Sequence, residues 1–171
     1  MRNRASLWSD RRIRPKVLFA AAVVILIATL AAAFLGRRAE GILTIENAKT
    51  GEVYDSFRLR RGDTFSVGFV HSVNKSPVTD YYELREDGIY VVKTVYYGFG
   101  AGVQTELEDG QKLTYGEDGS MIITGFDRRM EDLIYFVGTV SDHTLVINET
   151  QTISLREKCG RNSMVRFVWK E

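Results

Sequence analysis

One segment constrains this chain more than any other: residues 17–35, VLFAAAVVILIATLAAAFL, carry no charge and only Thr29 as a polar side chain. As a helix this run spans roughly 28 Å, close to the hydrocarbon thickness of a bilayer. A buried soluble helix of that length would show a polar stripe, and none is present. Arg2, Arg4, Arg11, Arg12, Arg14 and Lys16 precede the run, while only Arg37 and Arg38 closely follow it. The positive-inside bias therefore predicts a cytoplasmic N-terminus and an extracytoplasmic C-terminal region. Ala31-Ala32-Ala33 offers a cleavage-like motif, but the run exceeds the roughly 7–15 residues of a signal core and a basic pair follows it. An uncleaved anchor is the expectation. The division is a basic cytoplasmic segment (1–16), a transmembrane helix (17–35), a linker (36–41) and an extracytoplasmic domain (42–171), in the cytoplasmic (inner) membrane.

The charge balance supports that division. Of 23 Lys/Arg and 22 Asp/Glu, residues 1–40 hold eight and two, so the remainder holds 15 and 20, a net of −5. A mildly acidic domain lacks the clustered cations that nucleic acid requires. A single cysteine, Cys159, excludes an intramolecular disulfide, and with two histidines it makes no zinc set of the usual spacing. No cofactor or metal is implied.

From Gly41 onward the chain is a series of short β-type runs separated by turn signals: Ile42–Glu46, Glu52–Leu59, Thr64–His71, Val78–Arg85, Ile89–Tyr97, Lys112–Tyr115, Ser120–Phe126, Leu133–Val140, Thr144–Asn148, Thr152–Leu155 and Met164–Trp169. Glu86-Asp87-Gly88 is a strong hairpin signal, since Asp-Gly accepts positive φ. With two prolines and no long 3.6-residue period, the pattern predicts an all-β antiparallel sandwich or barrel-like domain after the one N-terminal helix. Asp127–Asp132 is expected to make one helical turn. Phe65, Val67 and Phe69 fall on one face of their strand. Ile89, Val91, Lys93 and Val95 fall on one face of theirs, with Tyr90, Val92, Thr94 and Tyr96 on the other.

His71 closes the inward series Phe65, Val67, Phe69, which places an imidazole on the core side at a strand end. Two readings stand side by side: a histidine satisfied by backbone in the adjoining turn, or a polar group at a pocket mouth with Asp80 as partner. Ser72 is no nucleophile for His71, because neighbours in a strand point to opposite faces and no G-x-S-x-G elbow exists. Gly98-Phe99-Gly100-Ala101-Gly102 lacks the following helix that a phosphate loop needs, so its glycines fit a bulge or a close backbone approach instead. Tyr81, Tyr82, Tyr90, Tyr96 and Tyr97 concentrate on one hairpin, as cross-strand packing or as an exposed docking face. Asn148-Glu149-Thr150 fits a glycosylation sequon, relevant only in a eukaryotic secretory pathway. The candidate ligand- or partner-binding set is His71, Ser72, Pro77, Asp80, Gly98, Phe99, Gly100 and Gly102, with no catalytic residue.

The ordered motifs Arg61-Gly62-Asp63-Thr64-Phe65, His71-Ser72-Val73, Pro77-Val78, Asp80-Tyr81-Tyr82 and Gly98–Gly102, with Gly138–Leu145 similar in character, resemble the bacterial domain of unknown function 1850. The resemblance covers most of residues 42–169. That family more usually carries Glu at the place of Asp80, so the acid is kept with a shorter reach. The resemblance implies a small exported or anchored protein. It further implies an accessory role beside a tripartite ATP-independent periplasmic (TRAP) transporter of the TAXI type, whose permease or binding protein is the expected partner. A non-enzymatic accessory or interaction domain is the leading expectation. A small-solute-binding β module is the alternative, and an enzyme using His71 and Asp80 comes last.

Overall fold

Alternating apolar residues and frequent Gly and Asx turns give strands, and the computed structural model contains eleven among its described residues: 23–27, 29, 39–73, 75–98 and 106–171. They are β1 (Glu40–Asn47), β2 (Val53–Arg60), β3 (Thr64–Val70), β4 (Pro77–Arg85), β5 (Gly88–Tyr96), β6 (Lys112–Tyr115), β7 (Met121–Met130), β8 (Leu133–Val137), β9 (His143–Ile147), β10 (Gln151–Ser154) and β11 (Ser163–Lys170). A short helix, α1 (Leu155–Cys159), joins the last two. Residues 23–27 are helical and exposed. The rest of the expected 17–35 span lies outside the described residues, apart from helical Thr29, and among the described residues no helix is long and apolar enough to cross a membrane.

All pairings are antiparallel, in two sheets of order β2-β1-β11-β8 and β10-β9-β3-β4-β5-β7-β6. The predicted all-β class is what the chain adopts, as a sandwich. Leu43, Ile45, Val165, Leu133 and Val137 of the smaller sheet pack with Phe65, Val67, Leu84, Leu145 and Ile147 of the larger one. Phe65 stacks on Tyr82 at 5.0 Å and on Phe167 at 5.3 Å, which ties the sheets together at their centre. A second, smaller cluster of Val78, Tyr96, Met121 and Ile123 lies on β4, β5 and β7. Four strands cannot cover seven, and this part of the larger sheet is where the inner face opens.

Three local expectations are corrected. Asp127–Asp132 is not a helical turn: Arg128, Arg129 and Met130 continue β7 and pair with Val91, Tyr90 and Ile89. Cross-strand pairing outweighs a six-residue polar stretch with little intrinsic helix stability. Leu155 begins a helix rather than ending a strand. Its sequence signal is Ser154-x-x-Glu157, a capping pattern in which the Ser154 hydroxyl accepts the Glu157 amide at 3.1 Å, closed by Gly160 at φ +82°. Finally, a bulge at Val92 breaks the alternation of β5. Ile89 and Val91 face inward, but beyond the bulge the inward residues are Thr94 and Tyr96, while Lys93 lies outside with its Nζ 3.7 Å over the Tyr81 ring.

β7 carries a matching irregularity. Thr124 pairs with Lys93 and Arg128 with Val91, so Gly125, Phe126 and Asp127 lie opposite Val92 alone. Gly125 has φ +82°, and a Cβ there would run into the Gly110 carbonyl oxygen. Gly125→Ala should therefore cost about 1–3 kcal/mol, from left-handed backbone strain plus displacement of the Gly110 turn. A melting temperature equal to wild type would show that this kink relaxes freely.

The hairpin tyrosines divide between the two faces. Tyr82 and Tyr96 are buried, whereas Tyr90 lies under the Arg85 guanidinium at 4.2 Å and the exposed Tyr97 donates to Asp118 at 2.6 Å. Cys159 is buried at the end of α1, and burial first of all pushes its thiol up to about 11.

Candidate functional site

Register converts the β4–β5–β7 face into rows of inward side chains. Val78, Tyr96 and Met121 form one row; Asp80, Thr94 and Ile123 form the next; Tyr82, Val91 and Arg128 form the third. Apart from Met121, these residues floor a cavity of about 260 Å³, walled also by Phe69, His71, Phe126 and Met130. A carboxylate thus stands in the middle row of an otherwise largely apolar face.

Asp80 is held from both sheets. Its Oδ1 accepts from the Thr94 hydroxyl and its Oδ2 from the Tyr135 hydroxyl of β8, each at 2.8 Å. The Tyr82 and Tyr135 hydroxyls are 2.6 Å apart. Because Tyr135 spends its one proton on Asp80, Tyr82 is the donor of that contact. The result is a directed chain, Tyr82 to Tyr135 to Asp80, closed on the other side by Thr94. Burial raises the Asp80 pKa above the ordinary carboxylate value, and the Thr94 and Tyr135 bonds work against that rise. Burial likewise pushes the Tyr82 and Tyr135 phenols above their usual value, so both remain hydroxyl donors at neutral pH.

Tyr135 is fixed by rings. Phe69 meets it edge-on at 5.9 Å, His143 edge-on at 5.9 Å, and Phe167 at 6.2 Å. His143 stacks on Phe69 at 5.2 Å and is buried, and its Nδ1 has no hydrogen-bond partner among the described residues. Burial lowers its pKa, so it serves as a neutral aromatic wall.

The expected cluster is only partly assembled. His71 and Asp80 line one cavity, but the hydroxyl partners of Asp80 are Thr94 and Tyr135, in place of the expected imidazole. His71 lies just beyond β3, where its Nδ1 accepts the Val73 amide at 3.3 Å and its own amide donates to the Ser76 carbonyl at 2.9 Å. The turn-satisfied reading of this histidine therefore describes its local bonding. Ser72 is exposed and lines a neighbouring groove, while Pro77 is exposed at the start of β4 and faces away from the cavity among Gly68, Thr79 and Thr144. Gly98 follows β5 beside Ser76; Phe99, Gly100 and Gly102 lie outside the described residues.

Sequence patterns do not point to Tyr135, Thr94 or Arg128 as site residues, and Tyr82 stands out in them only as one of the hairpin tyrosines and in the motif Asp80-Tyr81-Tyr82. A two-residue period groups Thr94 with Tyr90 and Val92, opposite Ile89 and Val91, because the bulge at Val92 is invisible to it. Tyr135 sits 55 residues from Asp80 on the opposite sheet, and no local pattern links them. The one available signal was Tyr135 itself, a hydroxyl-bearing ring in the otherwise apolar run Leu133–Val137. A buried Tyr needs a partner for its hydroxyl.

Among the described residues no group of three His, Cys, Asp or Glu is placed to hold a metal ion. The arrangement supplies one acid, one cation, several rings and hydroxyl donors already committed to the acid. No curated protein and no solved structure gives a significant match to this chain. The family model for the domain of unknown function DUF1850 matches residues 65–154, which run from β3 through Asp80 and Tyr135 to the end of β10. With that match covering just over half of its 171 residues, the chain belongs to the DUF1850 family.

Proposed function

We propose that this chain is a non-catalytic binding module that works by holding a small solute in the Asp80 cavity. The observation that carries the reading is the half-buried Asp80 carboxylate, oriented by Thr94 and Tyr135 and open to a cavity of about 260 Å³ whose lining mixes polar groups with rings and aliphatic side chains. Orienting a desolvated carboxylate costs free energy that a core lined with hydrophobic residues would not incur, which favours a role in recognition. Catalysis is disfavoured because the carboxylate is bonded on both oxygens, by Thr94 and Tyr135 hydroxyls that each commit their proton to it.

The module is tethered to the cytoplasmic membrane by residues 17–35 and works outside the cell membrane beside a TRAP-type transporter. The uncharged run with its basic N-terminal flank supports the tether, and the family resemblance supports the transporter setting. One surface feature favours a protein contact in addition. Val70, Phe136 and Val140 are exposed around the groove that holds Ser72 and Gly138. The permease or its binding protein is the occupant of that groove in this reading.

Uptake measurements in cells carrying the full chain test both parts. Asp80→Ala should reduce transport severalfold with the protein still folded and inserted, and Phe136→Ser with Val140→Ser should abolish co-purification with the permease. Full transport in the Asp80 variant overturns the cavity reading, and intact co-purification in the double variant overturns the groove contact.

A further inference from the structure

The charges around the cavity define the class of its ligand. Among the described residues of the lining, Asp80 is the one acid, and Arg128 is the one basic side chain beside His71. Neighbouring arginines are committed: Arg129 pairs with Asp87 and Glu131, and Arg85 with Glu83 and Asp127. The side chain of Arg128, exposed at the rim, has no hydrogen bond or ion pair among the described residues. It reaches the cavity because Gly125, Phe126 and Asp127 are taken up opposite Val92, which restores Arg128 to the inner face opposite Val91.

Building on the binding reading above, we infer that the cavity takes a small zwitterion, with its ammonium group on Asp80 and its acid group on Arg128. The two residues sit one row and two strands apart, about 12 Å between Cα atoms from ordinary sheet spacings. The reach of an arginine side chain closes much of that distance, leaving a gap that suits charges a few bonds apart. A simple anion would enter against Asp80, and a simple cation would enter past Arg128. A ligand of both signs satisfies both groups.

The remaining lining fits the same ligand. Phe69, Tyr82, Tyr96 and Phe126 line the cavity together with the acid, and aromatic walls favour an ammonium or alkylammonium group. Thr94 and Tyr135 each occupy one lone pair of the carboxylate, which leaves the others for the ligand. A volume of about 260 Å³ lies at the small end of ligand pockets, which run from roughly 300 to 1,000 Å³, so the ligand is a small metabolite.

Titration calorimetry of the full chain in lipid nanodiscs tests the assignment, with glycine betaine and L-alanine as zwitterions and tetramethylammonium and propionate as single-charge controls. At least one zwitterion should bind tenfold or more tightly than either control. Asp80→Asn and Arg128→Gln should each weaken it tenfold or more. Arg128 is exposed at the rim, so Arg128→Gln keeps the fold and carries the test if Asp80→Asn lowers the melting temperature. Propionate binding that equals the zwitterions and survives Asp80→Asn would leave a solute site but overturn the charge pairing. Absence of binding by all four probes at millimolar concentration would overturn the pairing and the solute reading together.

Discussion

Phe65→Ala should destabilise the domain by about 3–5 kcal/mol, a large share of the 5–15 kcal/mol typical of a folded domain. Phe65 is 1% exposed and sits where the sheets meet, stacked between Tyr82 and Phe167. Its removal opens a cavity walled by both sheets, which the flanking strands cannot close without losing their own pairing. Urea unfolding of residues 39–171, which form one compact unit, measures the effect. A loss below 1 kcal/mol would mean that the sheets slide together and the centre is softer than its packing implies. The same substitution should also disturb the ligand site, because Tyr82 leans on Phe65 and starts the hydroxyl chain to Asp80.

Asp142→Ala should cost about 2–4 kcal/mol through lost hydrogen bonds to a charged acceptor. Its Oδ1 accepts the His143 amide at 2.7 Å and the Arg156 amide at 3.0 Å, and its Oδ2 accepts the Ser154 hydroxyl. Arg156 Nε stands 4.0 Å away, close enough to add charge but without a hydrogen bond of its own among the described residues. Ser154 is also the N-cap of α1, whose Leu155 and Cys159 plug the core, so one carboxylate ties a loop, a cap and the ring wall at His143. Burial alone would raise the Asp142 pKa, but the Ser154, Arg156 and His143 bonds outweigh it and the net shift is downward from 3.8. A depressed folded pKa contributes stability that is present above the unfolded value and is lost as pH falls through the folded one. The gap between wild type and Asp142→Ala should accordingly shrink as pH drops from neutral to about 3. Asp80 acts with the opposite sign: its raised pKa makes the domain less stable as pH rises from 3.8 through the folded value. A gap independent of pH would show that Asp142 acts by packing and not as an anion.

The strand positions were legible because they rest on local rules. Glu86-Asp87-Gly88 turns as its Gly demands, with φ +154° at Gly88, and the Phe65–Val67 alternation buries both residues. Where β6 begins and ends, period and turn residues gave the same bounds as the backbone pairing. The site was legible only in fragments. Asp80 and His71 were singled out because polar residues interrupt apolar strands, yet their true neighbours depended on which strands lie side by side. The local histidine bond to Val73 belongs to a short turn, so it was foreseeable in kind. The bond from Tyr135 to Asp80 spans both sheets and was not.

The all-β class, the charge contrast between a basic apolar N-terminal segment and an acidic remainder, and most strand limits are legible in the amino-acid order. All of these depend on composition and short-range periodicity. Which residues face Asp80 is set by long-range pairing. Register, bulges at Val92 and around Gly125, and the approach of β8 place Thr94, Tyr135 and Arg128 on the cavity. A one-residue bulge exchanges the two faces of a strand, and a contact between sheets joins residues far apart in the chain. Neither leaves a trace in a local pattern.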